Sequence, residues 1–304
     1  MAETGVPGEW LLATGQLPNG TITGRCWLRS PGRIWTETLP FPDDRAMHIA
    51  YDSVRAVHVG FGGLSSGGQR LSTTWERSVT GIWTQQNPVT VPPARSNQLM
   101  VFDPMRNETV MYGGVGVGGL RSDLHTWNGI NWTLRAPATA PGAKADLGYA
   151  WDADRGEVVW FGGAPVPFGV SDELWAWNGV DCLNRTPPGV RPGARRFPAF
   201  AYKQDERRYF VFGGSNGPAN ASYGDFWEID AATLVCLERG ATAETPSAGA
   251  GVALGWDAYN RELYYAGRNQ LGGAGLLAEA YSYQAQWARL RARQAAAPAR
   301  AAAT

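Results

Sequence analysis

Five basic residues recur at a spacing that could build a single anion site. Arg45, Arg95, Lys144 and Arg195, with Arg196 adjacent, stand about fifty residues apart, each shortly before or at the head of an apolar run such as "LMVFD" or "GYAWD". A guanidinium presents a planar fork that bonds a carboxylate through two parallel N–H groups, so a convergence of such side chains suits an acidic ligand. His48 follows Arg45 by three residues, with Asp43 and Asp44 just upstream. An imidazole oriented by a carboxylate can give or take a proton near neutral pH, which makes His48 and Asp44 the candidate catalytic residues. The same residue types also serve packing, and the spacing alone leaves both uses open.

Other motifs carry less. Gly114, Gly116 and Gly119 in "VMYGGVGVGG" match the spacing of a dinucleotide fingerprint, but strand-like sequence follows where a phosphate-binding helix should start. Cys26, Cys182 and Cys236 are odd in number and lack a C-x-x-C spacing, so no disulfide framework or metal site is expected. His125 stands in a column otherwise filled by Trp27, Trp75, Trp175, Trp227 and Tyr281, which reads as packing, and His58 has no charged neighbour in sequence.

The elements that must hold these residues are repeats. A glycine closes a short apolar run at Gly15, Gly63, Gly114, Gly163, Gly214 and Gly267, in steps of 48 to 53 residues. An independent column places Trp35, Trp83, Trp132, Cys182, Cys236 and Trp287 at one recurring position, so two of the three cysteines replace a core tryptophan. Each unit has four strand-like runs, as in "NQLMVFD", "ETVMYGG", "DLHTWN" and "NWTLRA", punctuated by Gly, Pro, Asn and Asp. Six such units predict an all-β, six-bladed β-propeller of four-stranded antiparallel blades. Its first blade shows only three strands unless residues 1 to 6 supply a short inner one. Residues 1–288 form a single propeller domain in this reading, and 289–304 an Ala/Arg-rich tail.

A basic residue before the first strand, a double glycine closing the second, "DLHTWN" as the third and a tryptophan in the fourth resemble the kelch-repeat family. That resemblance implies the fold more than the function, since kelch propellers include protein-binding modules, galactose oxidase, sugar mutarotases and plant nitrile-specifier proteins. In partner-binding kelch modules, arginines at this place meet carboxylates. The iron set of nitrile-specifier proteins needs Glu, Asp and His at four-residue steps. Asp44 and His48 fit one step, but Pro40 stands where the Glu belongs. The copper set of galactose oxidase has too few histidines here, and no cofactor is expected.

Twenty-seven basic residues balance 27 acidic ones, which argues against a nucleic-acid partner. The start lacks a secretory signal and no stretch reaches 18 apolar residues, so a cytoplasmic chain without a membrane partner is expected. The links between second and third strands should share one channel mouth with the basic residues, adding Phe168 and Tyr223 to the candidate ligand contacts. The expected function is binding of a small anionic ligand or acidic peptide at that mouth. The alternative is a cofactor-independent isomerase, cyclase or lyase acting there on a small, partly hydrophobic metabolite.

Overall fold

The apolar runs pair into antiparallel sheets wherever turn residues separate them. The computed structural model describes residues 2–16, 22–32, 34–165, 169–217, 222–239, 253–257, 262–268 and 276–281. Sheet I holds strands Ala2–Glu3, Trp10–Gln16, Ile22–Arg29 and Trp35–Thr38, and sheet II holds Arg45–Asp52, Val57–Ser65, Thr74–Arg77 and Trp83–Gln86. Sheet III is built from Leu99–Asp103, Glu108–Tyr112, Leu124–Trp127 and Trp132–Arg135, and sheet IV from Gly148–Asp152, Glu157–Phe161, Leu174–Trp177 and Cys182–Asn184. Sheet V comprises Ala199–Lys203, Arg208–Phe212, Phe226–Asp230 and Cys236–Arg239. Sheet VI has three described strands, Ala253–Asp257, Glu262–Arg268 and Leu276–Tyr281. Strand order follows chain order in each, so every sheet is a meander.

Residues 2–3 do supply an inner strand to sheet I, with Ala2 opposite Leu11. The first strands of sheets II to VI pack against one another in succession, and sheet I packs on the first strand of sheet II. Gly255 in sheet VI lies against the indole of Trp10 in sheet I, too close to admit a Cβ. Trp287 and the tail at 289–304 lie outside the described residues. Among the described residues a 3-10 turn, Gln204–Glu206, is the one helical element, and no helix is long and apolar enough to cross a membrane.

The aromatic column opens the fourth strand of every sheet in which that strand is described: Trp35, Trp83, Trp132, Cys182 and Cys236. Trp132 is buried, meets Phe61 edge-on and donates its indole N–H to Thr74 Oγ1 in sheet II at 2.8 Å. Cys182 is also buried, and desolvation pushes its thiol up to about 12. Cys236 is only half-buried, so the cysteine for tryptophan exchange leaves that end of sheet V less covered.

The turns after the first strands of sheets II, III and IV share one construction. Asp52, Asp103 and Asp152 accept backbone N–H groups two and three residues on, while Arg55, Arg106 and Arg155 pair back to them. Arg106 then reaches the Gly156 and Asn178 carbonyls of sheet IV, and Arg155 the Ala231 carbonyl beside sheet V. The Asp-x-x-Arg turn is thus a second repeat signature, fixing one end of the stack while leaving the other end to loops.

Candidate functional site

At that other end each basic residue is locked by its own repeat. Arg95 has no exposed surface; it donates to the Gly113 carbonyl at 3.0 Å, to Asp123 at 2.9 and 2.5 Å, and to the Pro93 carbonyl at 3.1 Å. Arg195 repeats the pattern with Gly213 at 2.9 Å, Asp225 at 2.6 and 2.7 Å and Gly193 at 2.8 Å. Lys144 pairs with Glu173 and with Ser171 Oγ. In sheet II the acid position is Thr73, which Arg45 reaches at 2.8 Å, and the countercharge comes from Asp43 instead.

The acid serves a second donor too. Trp75, Trp175 and Trp227 give their indole N–H to Thr73, Glu173 and Asp225 respectively. His125 takes the same place in sheet III, its Nε2 2.9 Å from Asp123 Oδ2. Burial opposes ionisation of Asp123, but the bonds from His125 and Arg95 outweigh it and hold the carboxyl well below the usual carboxylate range. The four cations at these positions therefore share one face, as their spacing suggests, yet their charge is spent inside the sheets. Releasing one to an outside acid would break the bonds that its buried cation makes to its own repeat.

The links between second and third strands do run over this face. Gly116 pairs with Arg95, Lys144 with Pro165, Ser171 with Arg195, and Arg196 with Ser215. Gly113 and Gly114 have positive φ, and a Cβ on Gly113 would strike the Lys144 carbonyl, so the double glycine is a point of sheet-to-sheet approach rather than a phosphate loop. The backbone places Leu71, Arg121, Ser171 and Tyr223 equivalently, each donating its N–H to the second glycine of its repeat. Tyr223 covers Arg195, its ring centroid 4.1 Å from the guanidinium carbon. Phe168 lies outside the described residues.

Deeper, along the first strands, a different set appears. Asn97, Asp146 and Phe197 occupy one column, two residues after the clamped cation, all in the left-handed region. Asn and Asp tolerate that conformation, whereas Phe is strained there. Asn97 donates from Nδ2 to Asp146 Oδ1 at 2.7 Å; the Asp146 N–H bonds the Asn97 carbonyl at 3.2 Å and the Phe197 N–H the Asp146 carbonyl at 2.7 Å. Burial pushes the Asp146 carboxyl up to about 6, against the opposing pull of Asn97 and of the Arg196 charge. Arg196 is half-buried, with its guanidinium 5.7 Å from the Phe197 ring centroid.

Among the described residues His48 meets no carboxylate. Its Nδ1 lies 2.9 Å from the hydroxyl of Tyr149, on the first strand of sheet IV. Asp44 is exposed and accepts the Gly24 N–H at 2.9 Å. Burial lowers the His48 imidazole to about 4, so it stays neutral at physiological pH; burial also raises the Tyr149 phenol, against the backbone amide of Met100. Both side chains keep partial exposure although protein surrounds them.

Asp146, Tyr149 and Arg121 are absent from the sequence-derived candidates. Asp146 was within reach of alignment, because Asn97 stands at the same two-residue step after its cation. Among the described residues no three His, Cys, Asp or Glu side chains are grouped as a metal-ligand set. No family model and no curated protein matches the chain.

Proposed function

We propose that this chain is a six-bladed propeller of kelch type, its sheets being the blades, that binds a small molecule at one end of the central channel. The contact of Gly255 with Trp10 supports closure of the ring between last and first blades. The clamps argue against an acidic peptide as partner, since Arg45, Arg95, Lys144 and Arg195 already hold internal acceptors. A small ligand held by channel groups fits better.

The observation that carries this reading is the His48–Tyr149 contact. These residues come from sheets II and IV, which are not successive, so their side chains meet across the space that the first strands enclose. A neutral imidazole bonded at Nδ1 keeps Nε2 for a ligand. Asn97 and Asp146 add an amide and a carboxyl, Asp146 lying three residues before Tyr149 in the chain.

A thermal-shift screen of small polar metabolites tests this. Hits should raise the melting temperature of the wild type by mass action and act much less on Tyr149→Phe and His48→Gln. Hits that stabilise all three proteins equally would move the site elsewhere. A cofactor-independent isomerase, cyclase or lyase is the second reading, favoured by one observation: His48 is pushed down to about 4 while Asp146 is pushed up to about 6. At neutral pH both groups are then in their basic forms, an imidazole and a carboxylate either of which can take a proton. Turnover of any hit, lost in His48→Gln with binding retained, would decide for it.

A further inference from the structure

We infer that Arg121 anchors a carboxylate-binding subsite on the rim of sheet III, taking the acid group of a ligand with an apolar body. Four residues cover the four clamps: Leu71, Arg121, Ser171 and Tyr223. Three of them are neutral, and two of these contact the cation beneath, Ser171 by a hydrogen bond to Lys144 and Tyr223 by its ring face over Arg195. At sheet III alone among these the cover is a second cation. Arg95 already has the single carboxylate of Asp123, which His125 also engages. Burial first, and then the charge of Arg121, weaken the hold of Arg95 on its proton despite Asp123.

Arg121 is half-buried and, among the described residues, bonds no acceptor through its side chain. It is nonetheless held in place. A Cβ on Gly116 would lie 2.5 Å from Arg121 Nε, so the guanidinium rests flat on the bare backbone of that glycine. A Cβ at 116 would push the guanidinium off this bed, while backbone conformation does not demand glycine there, since its φ is outside the positive region. The face left open is a planar fork matched to a carboxylate. Val117, at the tip of the same hairpin, is 81% exposed and offers an apolar surface beside the fork. An aryl or alkyl monocarboxylate satisfies both, whereas a hydrated inorganic anion uses only the charge.

This deepens the small-molecule reading by naming one end of the ligand, and its test stands apart from the channel. The full chain, labelled with 15N-arginine, is titrated with sodium benzoate at constant ionic strength set by sodium chloride. The Arg121 Nε–H signal should shift saturably, and Arg121→Gln should weaken benzoate binding about tenfold or more. Gly116→Ala keeps every charge but displaces the guanidinium, and should weaken benzoate comparably. A linear, unsaturating shift, or wild-type affinity for benzoate in Arg121→Gln and Gly116→Ala, would reduce Arg121 to a solvent-facing side chain. His48→Gln should bind benzoate like the wild type. If the metabolite screen yields nothing while benzoate saturates at Arg121, the channel reading falls and the rim subsite stands; the reverse result overturns the subsite alone.

Discussion

The clamps and the His48–Tyr149 and Asn97–Asp146 pairs use the same polar residue types to opposite ends. Around Arg195 each donor has an acceptor and the carboxylate of Asp225 has three donors, two from the guanidinium and one from Trp227. Around Asp146 a single amide serves a carboxyl that burial has driven up to about 6, and His48 has only a phenol. A closed set of charges fixes geometry and is inert. An open set costs stability and keeps bonding capacity for something else, which is why function is sought at His48 and Asp146 and at Arg121, whose side chain bonds no acceptor among the described residues.

Breaking a closed set should give the largest effect. Asp225→Ala leaves the Arg195 guanidinium, which has no exposed surface, without its countercharge. Stability should fall by about 3 to 5 kcal/mol, read from the urea midpoint. Arg195→Met combined with Asp225→Leu should recover much of that, because the penalty lies in the stranded charge. If Asp225→Ala costs under about 1 kcal/mol, the clamp is ornamental and its arginine is available to a ligand after all.

The open sets should respond to pH with opposite signs. Asp146 has its folded-state pKa raised, so folding favours the protonated form and stability from this group increases as pH falls from about 6 towards 4. His48 has its folded-state pKa depressed to about 4, so the unfolded chain takes up the proton first and stability from this group is lost as pH falls below about 6.5. The two largely offset one another in the wild type. Asp146→Asn retains the left-handed backbone and an acceptor for Asn97, and should stabilise the protein at pH 7 by about 2 kcal/mol. It should also make the protein more acid-labile between pH 7 and 5, while His48→Gln should do the reverse. Parallel pH profiles for both variants would show that neither group is as buried as its surroundings imply.

Much of this was legible in the sequence. The glycine steps located the strand ends, the tryptophan column located the fourth strands, and His125 was read as an aromatic substitute, as its bond to Asp123 bears out. The clamps were half-visible: Asp123, Glu173 and Asp225 stand 28 to 30 residues after their cations, but charges counted without their partners looked like an open cup. His48 was placed beside Asp44 because they are near in sequence. In the fold a register shift between Ala46 and His48 moves it, and its partner lies 101 residues away. A contact between two sheets that are not successive follows no repeat spacing, which is why the sequence does not point to Tyr149.

The smallest effect belongs to the clamp that departs from the pattern. In sheet II the acid position is Thr73, and Arg45 draws its countercharge from Asp43, whose side chain is 49% exposed. Water can replace such a partner, and exposed pairs contribute only about 0.2 to 1 kcal/mol. Asp43→Ala should therefore change the urea midpoint far less than Asp225→Ala, although both remove the carboxylate of a buried arginine. Thr73→Asp would sharpen the contrast by installing the acid that sheets III and V carry, after which Asp43→Ala should have no measurable effect. A loss of several kcal/mol from Asp43→Ala would mean that burial of the cation alone sets the cost, and that the exposure of its partner does not separate closed sets from open ones.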